Sequence, residues 1–185
     1  SAGNFHGQPI AMPMDAAVNA LCAWGNISER RVATMIHPVM SGLPAFLTPN
    51  PGLNSGLMIP QVVAAALVSE NKVLAHPASA DSVTTSADQE DHVSMANYAA
   101  RKLRSAVNNT ERVLAIELHT ACQAREFNKD LRAGVGAEAA HACLRRSIPP
   151  LKNDRYMAPE LDRVHDLIRS GAILAAAEKA AGPLT

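Results

Sequence analysis

The chain has few aromatic side chains: one Trp, two Tyr and three Phe in 185 residues. This argues against a β-sandwich or barrel, whose strands draw on Tyr, Phe and Trp. Net charge is also lacking, because 17 basic and 17 acidic residues cancel. No basic run stands out, which excludes nucleic acid and anionic membrane as expected partners. The three cysteines, Cys22, Cys122 and Cys143, form no Cys-x-x-Cys pair. Neither a zinc site nor a disulfide framework is expected, and the three read as buried thiols of a cytoplasmic protein. No signal peptide and no apolar run of about 18 residues occurs, so no membrane partner is predicted. A Gly-rich phosphate loop, an ordered Ser/His/Asp set and an aromatic ladder for nucleic acid are missing as well.

What remains is 48% hydrophobic and rich in alanine. That combination predicts an all-α fold whose helices pack closely through small side chains. The length suits a single helical domain over 1–185 with a real core, residues 128–185 forming peripheral C-terminal helices. Near-zero net charge gives little colloidal repulsion, so self-association is expected.

Apolar residues recur at helical spacing from about Ile10 to Ile36, with a bend or break expected at Gly25-Asn26 and Ser28 placed to recap there. Pro38 ends that segment. Residues 38–57 carry four prolines and three glycines, and read as a loop without regular structure. A helix follows over Met58–Leu74. It is apolar nearly all round, which predicts burial, with a subunit interface as one place for it. His76-Pro77 stops it, and 76–87 is a Ser/Thr-rich loop. The longest pattern runs from Asp88 to about Phe127, with a weak point at Asn108-Asn109. A connector at 128–136, a helix over Ala137–Ile148 and a last amphipathic helix from Pro159 complete the chain.

The polar stretch Ser86–Met95 enters that longest pattern. Ser86 and Gln89 have capping-box spacing, and Asp88, Glu90 and Asp91 would occupy a first helical turn that favours acids. Metal binding by Asp88, Glu90, Asp91 and His92 is not expected, because consecutive helical side chains point about 100° apart. Glu90 is the residue of chemical interest. A carboxylate at a helix mouth can act as a base or pair with a cationic substrate group, and Gln89 beside it offers a donor and an acceptor. The seven histidines are scattered, and most read as solvated or satisfied core residues.

Several blocks together carry a resemblance. They are Gly3-Asn-Phe5-His-Gly-Gln-Pro9, Ser28-Glu-Arg-Arg31, Ser41-Gly-Leu-Pro-Ala-Phe-Leu47, Gly52-Leu-Asn-Ser-Gly56, Ser69-Glu-Asn-Lys72, His76-Pro77, Gln89-Glu-Asp-His-Val-Ser-Met95 and Leu114-Ala-Ile-Glu117. In this order they resemble the aromatic amino-acid ammonia-lyases, among which the histidine ammonia-lyases stand closest. The resemblance continues more weakly through Asp154–Pro159. It implies a long-helix bundle of the fumarase/aspartase-like type, incomplete in this chain, and homotetramers whose sites are shared between subunits. It implies elimination of ammonia from an amino acid, histidine giving trans-urocanate. The implied electrophile is a methylidene-imidazolone formed from an internal Ala-Ser-Gly, a triplet absent from this sequence.

By the same resemblance Phe5 is a pocket phenylalanine near the prosthetic group. Glu90 is the acid near the substrate, either holding the imidazole or taking part in proton transfer. The phenylalanine and tyrosine lyases resemble this chain less here, carrying an amide where Glu90 stands. A carboxylate can accept from an imidazole N–H, whereas a phenyl ring offers nothing to bond. Beginning at Ser1 without a Met, and lacking Ala-Ser-Gly, the chain is expected to be a C-terminal fragment that is inactive alone and needs the missing N-terminal half. Two further expectations stand beside it: a non-catalytic oligomerisation or scaffold module, and a lyase or aminomutase for another aromatic amino acid.

Overall fold

A computed structural model describes residues 3–184. The protein is all-α. Among the described residues seven helices run α1 (Gln8–Ile36), α2 (Pro38–Ser41), α3 (Met58–Leu74), α4 (Ala96–Arg125), α5 (Val135–Arg145), α6 (Ala158–Arg169) and α7 (Ala172–Ala181), with short 3-10 turns at Ala45–Leu47 and Ala78–Ala80. Among the described residues no β-strand forms; two isolated bridges join Pro51 to Asn54 and Thr85 to Glu90. No helix among them is long and apolar enough to cross a membrane.

The long helices follow from regular spacing of what they bury. Along α1 the covered positions Ala11, Asp15, Val18, Cys22, Gly25, Glu29, Val32 and Ile36 step alternately by four and three. This is the seven-residue periodicity of a helix that packs along its whole length. The helix is unbroken, contrary to the bend expected at Gly25-Asn26. Gly25 is buried, and a Cβ there would lie 3.6 Å from the Val68 side chain and 3.9 Å from those of Asn71 and Thr110. The missing side chain therefore serves close helix approach rather than a break. Ser28 does not start a new helix; its hydroxyl donates to Glu117 Oε2 at 2.5 Å.

Residues 38–57 also differ from the expected structureless loop. Pro38 stands at the start of α2, where its fixed φ and missing N–H cost nothing. The 3-10 turn at Ala45–Leu47 is drawn inward by Leu47, which is fully buried with Ile36, Leu57, Ala124 and Leu151. Each large aliphatic side chain buried in this way contributes about 1.5–3 kcal/mol. Helix α3 has the expected bounds, but its apolar surface is not covered all round. Ala64, Val68 and Asn71 face inward, while Ile59, Val62 and Val73 are more than half exposed. Cys122 and Cys143 are buried and Cys22 is partly so; all three are free thiols. Burial pushes the Cys122 thiol up to about 11.

The described residues divide into two compact units. One takes the chain up to Ile27 together with Ala66–Thr110, and the other takes Ser28–Ala65 together with the chain from Glu111 onward. In the first, Ala11, Ala78 and Ala99 form a small-residue core flanked by Met14 and Met95. In the second, Leu144, Ile148, Val164, Cys122 and Ala115 pack α4, α5 and α6 together.

The first unit also contains a buried ion pair. Asp15 and Lys102 meet at 3.1 Å with both side chains almost wholly covered. Ser79 N–H donates to Asp15 Oδ2 at 2.8 Å, and Lys102 Nζ donates to the His76 carbonyl. Burial alone would raise the Asp15 carboxyl, but the hydrogen bonds from Ser79, Lys102 and the Ala78 N–H outweigh it and lower the group to about 2. A carboxyl depressed below its ordinary value of 3.8 contributes stability that is full above that pH. The contribution is lost as pH falls toward 2. The stability difference between the parent and Asp15→Asn is therefore expected to narrow by about 2 kcal/mol between about pH 4 and pH 2. Denaturant unfolding across that range measures it, and a constant difference would show that Asp15 is not held ionised by these contacts.

Candidate active site

The expected helix start at Asp88 does not form. Ser86, Ala87 and Asp88 all take positive φ, at 56°, 51° and 68°, and α4 begins only at Ala96. Left-handed backbone at non-glycine residues is disfavoured by roughly 1–2 kcal/mol each, so the surrounding contacts must impose it. They do so through main-chain pairing: Thr85 N–H donates to Glu90 O at 2.9 Å, Glu90 N–H returns to Thr85 O at 3.3 Å, and Gln89 N–H closes on Ser86 O at 3.1 Å. The capping-box reading of Ser86 and Gln89, and the first-turn reading of Asp88, Glu90 and Asp91, are thus corrected. These residues make a bridged turn that precedes the helix. The helical argument against a metal lapses with them. Among the described residues, no group of three or more His, Cys, Asp or Glu side chains is placed to hold an ion.

Two anchors fix the segment leading into this turn. Gln8 Nε2 donates to Ser79 O at 2.8 Å, beside the Ser79–Asp15 bond, and Val93 N–H donates to Ser82 Oγ at 3.0 Å. A third contact brings the opening block alongside. Ser94 Oγ donates to the His6 carbonyl at 2.6 Å, and the His6 and His92 rings meet edge to face with centroids 4.7 Å apart. Phe5 sits against His6 in turn, centroids 5.2 Å apart and 72° between planes. Gly7 permits this docking. It has φ +65°, and a Cβ there would come within 2.8 Å of the Ala96 Cβ. The blocks that carry Phe5 and Glu90, far apart in sequence, are thereby linked into one wall through the His6–His92 contact.

On that wall Phe5 is 72% exposed, Gln89 is exposed, and Glu90 is half-buried. The Glu90 carboxylate accepts the Thr85 hydroxyl at 3.3 Å through Oε2. Thr85, His6, His92 and Ser94 organise the wall, and spacing along the chain gave no sign of it. One buried histidine lies in the other unit: His119 is 1% exposed, and neither ring nitrogen has a hydrogen-bond partner. Burial lowers it to about 4 against the pull of Glu160, whose Oε2 stands 3.6 Å away.

The wall's two blocks, Asn4–Gly7 and Gln89–Ser94, fall within residues 1–146, which match the family model described as aromatic amino acid lyase. The chain belongs to the aromatic amino acid lyase family. It is similar to the histidine ammonia-lyase of Symbiobacterium thermophilum, at 53% identity over all of this chain and 36% of that protein. It is 55% identical to the histidine ammonia-lyase of Deinococcus radiodurans over 97% of this chain and 34% of that one. Among solved structures it overlays histidine ammonia-lyase from Trypanosoma cruzi with a TM-score of 0.92 and 48% identity, covering 97% of this chain and 35% of that one. The chain thus spans about a third of the length of these relatives.

Proposed function

We propose that this chain forms part of a histidine ammonia-lyase that converts L-histidine to trans-urocanate and ammonia. The observation that carries the reading is the Glu90 carboxylate, held on a wall with an open Phe5 ring, in a chain whose relatives named above are histidine ammonia-lyases. In this reading Glu90 accepts from an imidazole N–H and favours its cation, or takes the proton lost in elimination. Gln89 offers amide contacts, and Phe5 covers the ring face of the substrate. A methylidene-imidazolone, implied by the family, would supply the electrophile for departure of the amino group. Its Ala-Ser-Gly source does not occur in these residues. Phe5 is largely exposed beside His6, so it is the residue here that would line the group. The exposed apolar residues Ile59, Val62 and Val73 support packing against further protein, either the remainder of the enzyme or other copies in a tetramer.

The test is a substrate panel on the full-length enzyme that carries this sequence. Histidine is expected to give urocanate absorbance at a rate far above any turnover of tyrosine or phenylalanine. Comparable turnover of either would replace histidine as the substrate. The isolated chain is expected to give no product, and turnover by it would place the electrophile within these residues.

A further inference from the structure

Glu90 has a long side chain with three torsions, and a carboxylate so carried is poorly placed for chemistry unless something holds it. Among the described residues one hydrogen bond reaches that carboxylate: the Thr85 hydroxyl donates to Oε2 at 3.3 Å. The same two residues exchange main-chain bonds at 2.9 and 3.3 Å, so donor and acceptor are fixed to one another at the backbone as well. The turn between them contains three successive left-handed residues, Ser86, Ala87 and Asp88. A turn that unfavourable persists only where its closure is imposed, and what its closure sets is the distance from Thr85 to Glu90. The bond also divides the carboxylate. Oε2 is engaged, and Oε1 is left for another donor.

From this geometry we propose that Thr85 is a positioning residue for Glu90, holding one carboxylate oxygen so that the other is presented to the substrate. The proposal rests on the reading of Glu90 as the substrate-facing acid. Thr85 need not touch substrate. Its contribution lies in confining Glu90 to one orientation, and misplacement of a reacting group by about 1 Å can lower a rate as much as a hundredfold.

The experiment uses the full-length enzyme with Thr85→Val, Thr85→Ser and Glu90→Gln, singly and with Thr85→Val combined with Glu90→Gln. Valine keeps the β-branched shape that suits the bridged backbone and removes only the hydroxyl. Thr85→Val is expected to lower kcat for histidine about tenfold, with a smaller change in KM, the size of one lost hydrogen bond to a charged group. Thr85→Ser, which keeps the hydroxyl, is expected to stay within about twofold of the parent. In the Glu90→Gln background the valine change should cost less than about twofold, because the group it orients is already gone.

Equal losses in the valine and serine variants would overturn the proposal, since they would report packing. A tenfold loss that persists in the Glu90→Gln background would overturn it too. An unaffected Thr85→Val enzyme alongside an impaired Glu90→Gln enzyme would remove Thr85 and leave the Glu90 reading standing. Parent-like turnover by Glu90→Gln would remove both.

Discussion

Glu90→Gln is expected to reduce histidine turnover by about a hundredfold or more, the range in which a positioned acid or base contributes. The substitution is nearly isosteric. Its amide oxygen can still accept from the Thr85 hydroxyl, and the main-chain bonds between Thr85 and Glu90 do not involve the side chain. The turn should therefore keep its shape, and the loss should appear in kcat rather than in the amount of folded enzyme. Glutamine cannot take a proton and cannot favour an imidazolium, so both proposed roles fail together. Urocanate formation measures the rate, and sizing chromatography measures assembly. Assembly should be unchanged. A rate within a fewfold of the parent would take Glu90 out of the site whatever its place on the wall. A collapse of assembly together with activity would make Glu90 a structural residue instead. The same variant should narrow the preference for histidine over phenylalanine, because the carboxylate's charge can favour an imidazole cation and a phenyl ring has none to favour.

How much of this was legible in the chain depended on whether local pattern or distant contact decided the structure. Helix α3 was readable to its ends, because its apolar repeat resumes at Val73-Leu74 after the interruption at Glu70–Lys72 and His76-Pro77 stops it. Glu90 and Phe5 could be singled out as candidates, since each sits in a short block with its neighbours in order. Their surroundings were not. The acids at 88–91 have the composition of a helix cap, and the same composition serves a bridged turn. Only the pairing of Thr85 with Glu90 and the left-handed run between them separate the two, and no glycine marks that run. Gly25 misled in the opposite direction: it looks like a breaker, but it is the point where a helix needs no side chain. The His6–His92 contact joins the first unit's two chain segments, a relation set by tertiary packing and invisible to spacing.

Gln123 shows the same limit from the side of stability, and its replacement is expected to have the largest effect on folding. It lies on α4, 2% exposed, in a helix where a glutamine would ordinarily face solvent. Its amide nitrogen donates to Leu47 O at 3.1 Å and to Leu151 O at 2.9 Å, and its amide oxygen accepts Leu151 N–H at 2.9 Å. Leu47 and Leu151 are themselves buried, so these three main-chain groups have no water to turn to. A buried polar group left without a partner costs about 1–3 kcal/mol. Gln123→Leu keeps most of the volume and removes the three main-chain bonds at once, together with the 3.5 Å bond that Arg145 Nη2 donates to the amide oxygen. It is expected to destabilise the protein by about 3–5 kcal/mol, the range for breaking a buried network. Gln123→Glu keeps an acceptor for Leu151 N–H and for Arg145 Nη2 but sets a carboxylate against the Leu47 and Leu151 carbonyls, so it should be damaging as well. Denaturant unfolding of the purified enzyme measures both variants. A lowered midpoint with an unchanged slope is the expected form. A cost below about 1 kcal/mol for the leucine variant would mean that the two loops satisfy their own backbone and that Gln123 merely fills space.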